Sequence, residues 1–139
     1  MSDRFFLDTN IFVYAFDDAA QAKKRIASNL IREAITTRQG IVSYQVVQEF
    51  MNVALRRFSQ PMSHAEAEQY LANVLRPLLS VHSSSGLYLE ALRICSRHKF
   101  AWYDSLIVAG AIQGECTILL SEDLQAGRTI EGLKIENPF

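Results

Sequence analysis

The sequence predicts an α/β fold: a mostly parallel sheet covered by helices on both faces. Three observations lead there. Short apolar runs of strand length alternate with longer segments whose apolar residues recur at helical spacing. The strand-like runs are apolar throughout rather than alternating, as expected of parallel strands buried on both sides. The 139 residues fall within the length of one domain, and no internal repeat, low-complexity tract or Gly/Ser linker divides them. Residues 1–139 are therefore read as a single domain.

Taken in order, Arg4-Phe5-Phe6-Leu7 reads as a short buried strand, and Asp8-Thr9-Asn10 supplies polar caps for a helix beginning near Ile11. From Asp18 the chain is helical through Arg38, with Ala22, Ile26, Leu30 (or Ala27) and Ala34 on one face and Gly40 as its stop. Ile41-Val42 is a brief strand, after which Ser43 caps a helix through Val46, Val47, Phe50, Val53 and Ala54. Ser63 stands three residues before Glu66, a capping box that opens a helix to about Leu75, and Pro77 marks its end. Leu78 to Val81 is a strand candidate, and Ser83-Ser84-Ser85-Gly86 turns into a helix from Leu87 to about Arg97. Trp102 to Gln113 is a further helix, Thr117 to Leu120 a compact apolar strand, and Leu133-Lys134-Ile135 a short edge strand.

Composition excludes several classes. With 49% hydrophobic and 21% charged residues, six glycines and three prolines, the chain is neither disordered nor collagenous. The apolar runs Ile11–Phe16 and Leu106–Ile112 are far shorter than the ~20 residues of a membrane span. The opening Met-Ser-Asp-Arg-Phe-Phe-Leu-Asp lacks the apolar core of a signal peptide, and two cysteines, Cys95 and Cys116, suit a reducing compartment. A cytoplasmic location is the expectation. Fourteen basic residues against fifteen acidic ones argue against broad electrostatic wrapping of nucleic acid. The basic clusters Lys23-Lys24-Arg25, Arg56-Arg57, and Arg93, Arg97 and Lys99 read as solvated helix faces. His64, His82 and His98 lack zinc-ligand spacing, and no phosphate-cradling glycine loop is present. Tyr14, Phe16, Tyr44 and Phe50 read as core, whereas Trp102 and Tyr103 adjoin Asp104 and stay candidates for stacking on bases.

The carboxylates carry the functional signal. Asp3, Asp17, Asp18, Glu33, Glu66, Glu68 and Glu90 lie at termini, helix starts or polar helix sides. Asp8, Glu49, Asp104 and Asp123 do not: each follows an apolar strand or shares a helix face with apolar residues. A lone carboxylate there is explained by a cap or a buried pair, since an unpaired one costs several kcal/mol. Four from separate segments, two of them just past strand ends, point to the crevice that borders the carboxyl ends of a parallel sheet. Gathered there they would repel one another and take up protons. A divalent cation removes that cost, and hard oxygen donors select Mg²⁺, with Mn²⁺ as a substitute. Such a site activates water and polarises a phosphoryl oxygen, so the residues read as a metal-dependent phosphodiesterase or phosphatase. The phosphatase reading lacks the Asp-x-Asp nucleophile pair.

Phe6-Leu7-Asp8-Thr9-Asn10, Val47-Gln48-Glu49-Phe50, Tyr103 to Ala109 and Leu119 to Leu124, in that order, resemble the PIN-domain nucleases and, more narrowly, the VapC-type toxins of toxin–antitoxin pairs. Ile130-Glu131-Gly132-Leu133 and Asn137-Pro138-Phe139 extend the resemblance to the tail. It implies a three-layer α/β/α sandwich, Mg²⁺-dependent endoribonuclease activity on structured RNA leaving a 5′-phosphate and a 3′-hydroxyl, a homodimer, and inhibition by a small antitoxin. Asp8, Glu49 and Asp104 match the three core acids and Asp123 the fourth, with its neighbour Glu122 as the alternative. Asn10 and Ser121 match polar positions that orient the acids or the water. An antitoxin arginine suits a carboxylate crevice, the rest of the antitoxin lying as an amphipathic segment in an apolar groove near the helices of Glu49 and of Lys23–Arg25. The alternative is a non-catalytic PIN-type module that binds a protein or RNA partner.

Overall fold

The structure is a computed structural model that describes residues 3–139. Six strands form one sheet: β1 (Phe5–Leu7), β2 (Gly40–Ser43), β3 (Leu79–Val81), β4 (Ile118–Leu120), β5 (Thr129–Ile130) and β6 (Leu133–Glu136). Their order is β3-β2-β1-β4-β6-β5, parallel except for the β5–β6 hairpin. Phe5 lies opposite both Gly40 and Ile118, and Leu7 opposite Leu120.

Among the described residues seven helices join them: α1 (Thr9–Tyr14), α2 (Gln21–Thr37), α3 (Tyr44–Arg56), α4 (His64–Tyr70), α5 (Arg76–Leu78), α6 (Ser85–His98) and α7 (Trp102–Gln113). The chain steps outward from β1 to β2 to β3 through α1–α5, then returns past β1 to β4 through α6 and α7. Right-handed crossovers in opposite directions place these two helix groups on opposite faces. Side-chain directions agree. A Cβ on Gly40 would run into Ala34 of α2, whereas a Cβ on Gly110 of α7 would meet Ser43 and Phe6 from the other side. The fold is the three-layer α/β/α sandwich expected from the sequence, and α7 is buried from Ser105 to Ala111. Among the described residues no helix is long and apolar enough to cross a membrane.

Several local expectations are corrected. Ala27, Ile31 and Ala34 form the buried stripe of α2, while Ala22 is exposed and Ile26 and Leu30 are half-buried. The helix is turned so that its smallest residues meet the sheet. Its end is Arg38, in the left-handed region at φ 60°, not Gly40. Gly40 instead opens β2, where a Cβ would stand 2.2 Å from that of Ala34, so glycine permits the close helix–strand contact. The Ser63–Glu66 capping box is present as expected. Helical backbone, however, runs on past Leu75 through a wide turn at Leu71–Leu75 to Leu78. Within that wide turn Arg76 N–H donates to the Leu71 carbonyl, five residues back. Ser43 precedes α3 without a side-chain cap, its buried hydroxyl making no hydrogen bond among the described residues. Leu133–Ile135 is not an edge: β6 lies inside the sheet because the two-residue strand β5, unforeseen in the sequence, pairs on its outer side.

Candidate active site

The strand order reverses direction between β1 and β4, so their carboxyl ends border the crevice where open α/β sheets bind ligands. Asp8 leaves β1 and is the N-cap of α1. Its backbone N–H donates to the Leu120 carbonyl at 3.0 Å, which locks it beside the end of β4. Its carboxylate accepts from Thr9 N–H and from the Ser121 hydroxyl, each at 2.7 Å. Ser121 is fully buried and also accepts from the backbone N–H groups of Asp123 (3.1 Å) and Leu124 (3.3 Å). One hydroxyl therefore fixes both Asp8 and the turn after β4. Asn10 bridges the same two segments, donating to Asp123 Oδ2 at 3.0 Å and accepting from Glu122 N–H at 3.4 Å.

The other two acids come from opposite helix layers. Glu49 lies on α3; its Oε1 accepts from the Thr9 hydroxyl at 2.6 Å and its Oε2 from Gln45 Nε2 at 3.1 Å. Gln45, buried one turn earlier, also donates to the Tyr103 carbonyl at 3.1 Å, tying α3 to the start of α7. Asp104 sits in the first turn of α7, where the helix dipole favours a negative charge.

The charges of the four acids act on one another. Burial pushes the Asp8 carboxyl up to about 6; the hydrogen bonds from Ser121 and Thr9 oppose this, and the charges of Glu49 and Asp123 add to it. Asp104 is raised by burial, then by Asp123 and Glu49. No ion pair among the described residues involves any of the four. Their donors are all oxygen, and their charge is left uncompensated, which suits a hard divalent cation. As the side chains stand, however, no three Asp, Glu, His or Cys residues among those described are gathered closely enough to hold a metal ion.

Glu122 and Asp123 take different partners. Glu122 turns away, accepting from the Tyr14 hydroxyl and from Lys23, each at 2.5 Å, while Asp123 turns toward Asn10. Lys23 also lies 4.7 Å from the Tyr14 ring centre, and the Phe139 ring packs edge-on against Tyr14 at 4.9 Å. The tail thus closes over this clamp. Two residues went unassigned in the sequence, Thr9 and Gln45. Thr9 lies inside the Asp-Thr-Asn run, and Gln45 is one helical turn from Glu49, which is the only sequence signal either carries. Cys116 is a core thiol, pushed up to about 12 by burial, and takes no part.

A family model described as PIN domain matches residues 5–130. No curated protein matches the sequence. Among solved structures, the chain is similar to a toxin–antitoxin complex from Klebsiella pneumoniae, with a TM-score of 0.67 and 20% identity over 96% of this chain and 97% of that one. It is similar to VapBC2 from Rickettsia felis bound to a promoter DNA fragment, with a TM-score of 0.65 and 18% identity over 96% and 97% of the two chains. It is also similar to VapC20 from Mycobacterium tuberculosis, described as a sarcin–ricin loop cleaving toxin, with a TM-score of 0.58 and 19% identity over 83% and 86%. At these identities the likeness is one of fold.

Proposed function

We propose, from the premise that this chain belongs to the PIN-domain family, that it is a metal-dependent endoribonuclease and the toxin of a toxin–antitoxin pair. One observation carries the reading. Asp8, Glu49 and Asp123 are held by neutral donors, and none of the four acids at the sheet crevice is paired with a cation. Neutral donors orient carboxylates and leave their charge available.

Asp8, Glu49 and Asp104 would hold Mg²⁺ or Mn²⁺, with Asp123 completing the set. A bound cation supplies Lewis-acid activation of water and shields charge on the phosphoryl oxygens. The chain's own residues do the positioning. Ser121 and Thr9 fix Asp8, Thr9 and Gln45 fix Glu49, and Asn10 holds Asp123 toward the same crevice. Water attacks the phosphorus, the bond to the 3′ oxygen breaks, and the products are a 5′-phosphate and a 3′-hydroxyl. Incubation with total cellular RNA tests this: the wild type cleaves with Mg²⁺ or Mn²⁺ and not with chelator, and Asp104→Asn loses at least about 100-fold. Full activity in Asp104→Asn, or no cleavage by the wild type with either cation, overturns it.

The antitoxin reading has its own support in a groove of about 910 Å³ beside α1 and α3. It is lined by apolar Val13, Phe16, Val53, Phe58 and Met62 and by charged Asp17, Asp18, Arg57 and Glu66. That lining fits an amphipathic segment. A homodimer in the cytoplasm completes the proposal, and light scattering of the purified chain tests the dimer. The second reading, a non-catalytic PIN-type interaction module, is favoured by the open spacing of the acids.

A further inference from the structure

The nuclease reading leaves one group of side chains unused. Tyr44 opens α3, Tyr88 lies on α6, and Trp102 and Tyr103 open α7. The rings of Tyr88 and Trp102 stand 6.4 Å apart, inclined by 35°. Tyr44 is close enough to Tyr88 and Tyr103 for both phenols to act on its own, which burial first and then Tyr88 and Tyr103 push up to about 12. Three helices thus carry four aromatic residues toward one another, two of them in ring contact, and Tyr103 stands one residue before Asp104.

These rings are not all sheltered. Tyr88 is 41% exposed and Tyr103 66% exposed. Tyr103 is nevertheless held in place, because its carbonyl accepts from the same buried Gln45 that donates to Glu49. The ring is anchored to the acids through backbone, not through its own side chain. At the crevice the four carboxylates repel a phosphate chain, and Lys23 beside the Asp123 turn is already paired with Glu122. An RNA strand entering here gains from contacts that do not depend on charge. Stacking on an aromatic ring is such a contact, and one stacked base changes affinity about 5- to 150-fold.

We propose that Tyr103, backed by Tyr88, Trp102 and Tyr44, is a stacking subsite that takes an unpaired base of the RNA substrate next to the carboxylates. The proposal rests on the nuclease reading for its ligand, and it adds a means of selection. A base inside a duplex cannot reach the ring, so the subsite favours loops and single strands over helices. Leu89 and Leu92, farther along α6, are also exposed, so a protein covering the whole face is the competing outcome.

The test uses the full chain with chelator present, a short single-stranded RNA containing the fluorescent base 2-aminopurine, and a paired hairpin of the same composition. The wild type binds the single strand more tightly than the paired stem and quenches the probe. Tyr103→Ala weakens that binding about fivefold or more and loses the quenching, while Tyr103→Phe restores both. Gln45 holds Tyr103 by its backbone carbonyl, so the alanine variant keeps that tie. With Mg²⁺ added, the loss in kcat/KM of Tyr103→Ala lies in KM. Equal binding by wild type and Tyr103→Ala overturns the subsite, and cleavage by both leaves the nuclease reading standing. Binding lost in Tyr103→Ala, with no cleavage by the wild type under Mg²⁺ or Mn²⁺, keeps the subsite and overturns the nuclease. Unchanged RNA binding with a dimer turned to monomer identifies the face as a protein interface and overturns the subsite, as does a wild type that binds no single strand.

Discussion

Replacing Asp8 by Asn is expected to stabilise the metal-free protein at alkaline pH and destabilise it in acid. The native Asp8 carboxyl is raised from 3.8 to about 6, chiefly by burial. A raised acid binds its proton more tightly in the folded state than in the unfolded chain. Its favourable contribution is therefore complete below pH 3.8 and is lost as pH rises through about 6. A difference of roughly two units is about 3 kcal/mol, so above pH 7 the ionised carboxylate lowers stability by about that amount. Asn removes the charge at every pH. It also sets an amide N–H₂ against Ser121 Oγ, which already accepts from Asp123 and Leu124 N–H, so the bond that Ser121 gave to Asp8 is lost. That loss costs about 1 kcal/mol.

The net expectation is a gain of about 2 kcal/mol at pH 8, or roughly 6–10 °C in Tm for a chain of this size. Near pH 3, where Asp8 is protonated in both the native and the unfolded state, the same variant is about 1 kcal/mol less stable, and the two curves cross near pH 4.5. Urea unfolding followed by circular dichroism at pH 3, 4.5 and 8, with chelator throughout, measures both arms. A variant no more stable than wild type at pH 8 refutes the reasoning. So does a difference that does not change with pH, because the charge would then not be what the fold bears.

Three further outcomes follow from particular contacts. Mg²⁺ or Mn²⁺ at about a hundredfold excess over Kd should stabilise the wild type by about 2.7 kcal/mol and Asp104→Asn far less, read as Tm; equal shifts would mean that the cation acts on general surface charge. Gly40→Ala should cost about 2–3 kcal/mol in urea unfolding, since its Cβ would stand 2.2 Å from that of Ala34, and Ala34→Gly in the same chain should restore part of the loss. Lys23→Ala should change global stability little, its pair with Glu122 being partly exposed, yet should speed hydrogen exchange at Asp123 and Leu124; unchanged exchange would mean that Ser121 alone holds the turn.

How much of this was legible in the sequence differs by residue type. Asp8 and Ser121 could be placed because each directly follows an apolar strand, and strand ends in a parallel sheet all face one crevice. Glu49 and Asp104 could be placed because a carboxylate on an apolar helix face is costly and stands out. Thr9 and Gln45 could not, since an uncharged polar residue on such a face raises no comparable alarm. The orientation of Glu122 was equally hidden, being decided by Tyr14 and Lys23, which are 108 and 99 positions away in the chain. The side-chain alternation of a strand does not survive into a turn, so only those contacts could decide it. Strand β5, two residues long, has no period to read, and without it β6 was bound to look like an edge. On α2, two neighbouring apolar stripes share Ala34, and the buried one runs through Ala27 and Ile31.

Burial and mutual charge, more than the lack of a cationic partner, set the crevice acids apart, since Asp17, Glu33, Glu66, Glu68 and Glu115 have no ion pair either among the described residues. Glu122, Asp18, Glu90, Glu131 and Glu136 each have a cationic partner, whereas Asp8, Glu49, Asp104 and Asp123 have none among the described residues. A lysine or arginine at Thr9 or Gln45 would relieve the repulsion and fill the crevice's demand for positive charge from within. The neutral residues found there leave that demand to whatever binds. A divalent cation and an antitoxin arginine would then compete for the same carboxylates, and binding linkage makes each weaken the other by an equal factor. Raising Mg²⁺ to ten times its Kd should therefore weaken an arginine-bearing antitoxin segment about elevenfold, and leave the Arg→Ala form of that segment unchanged. Titration of the fluorescently labelled segment at several Mg²⁺ concentrations measures this. Equal affinity at every concentration would mean that the segment is held in the groove beside α1 and α3 alone and that the acids do not take its arginine.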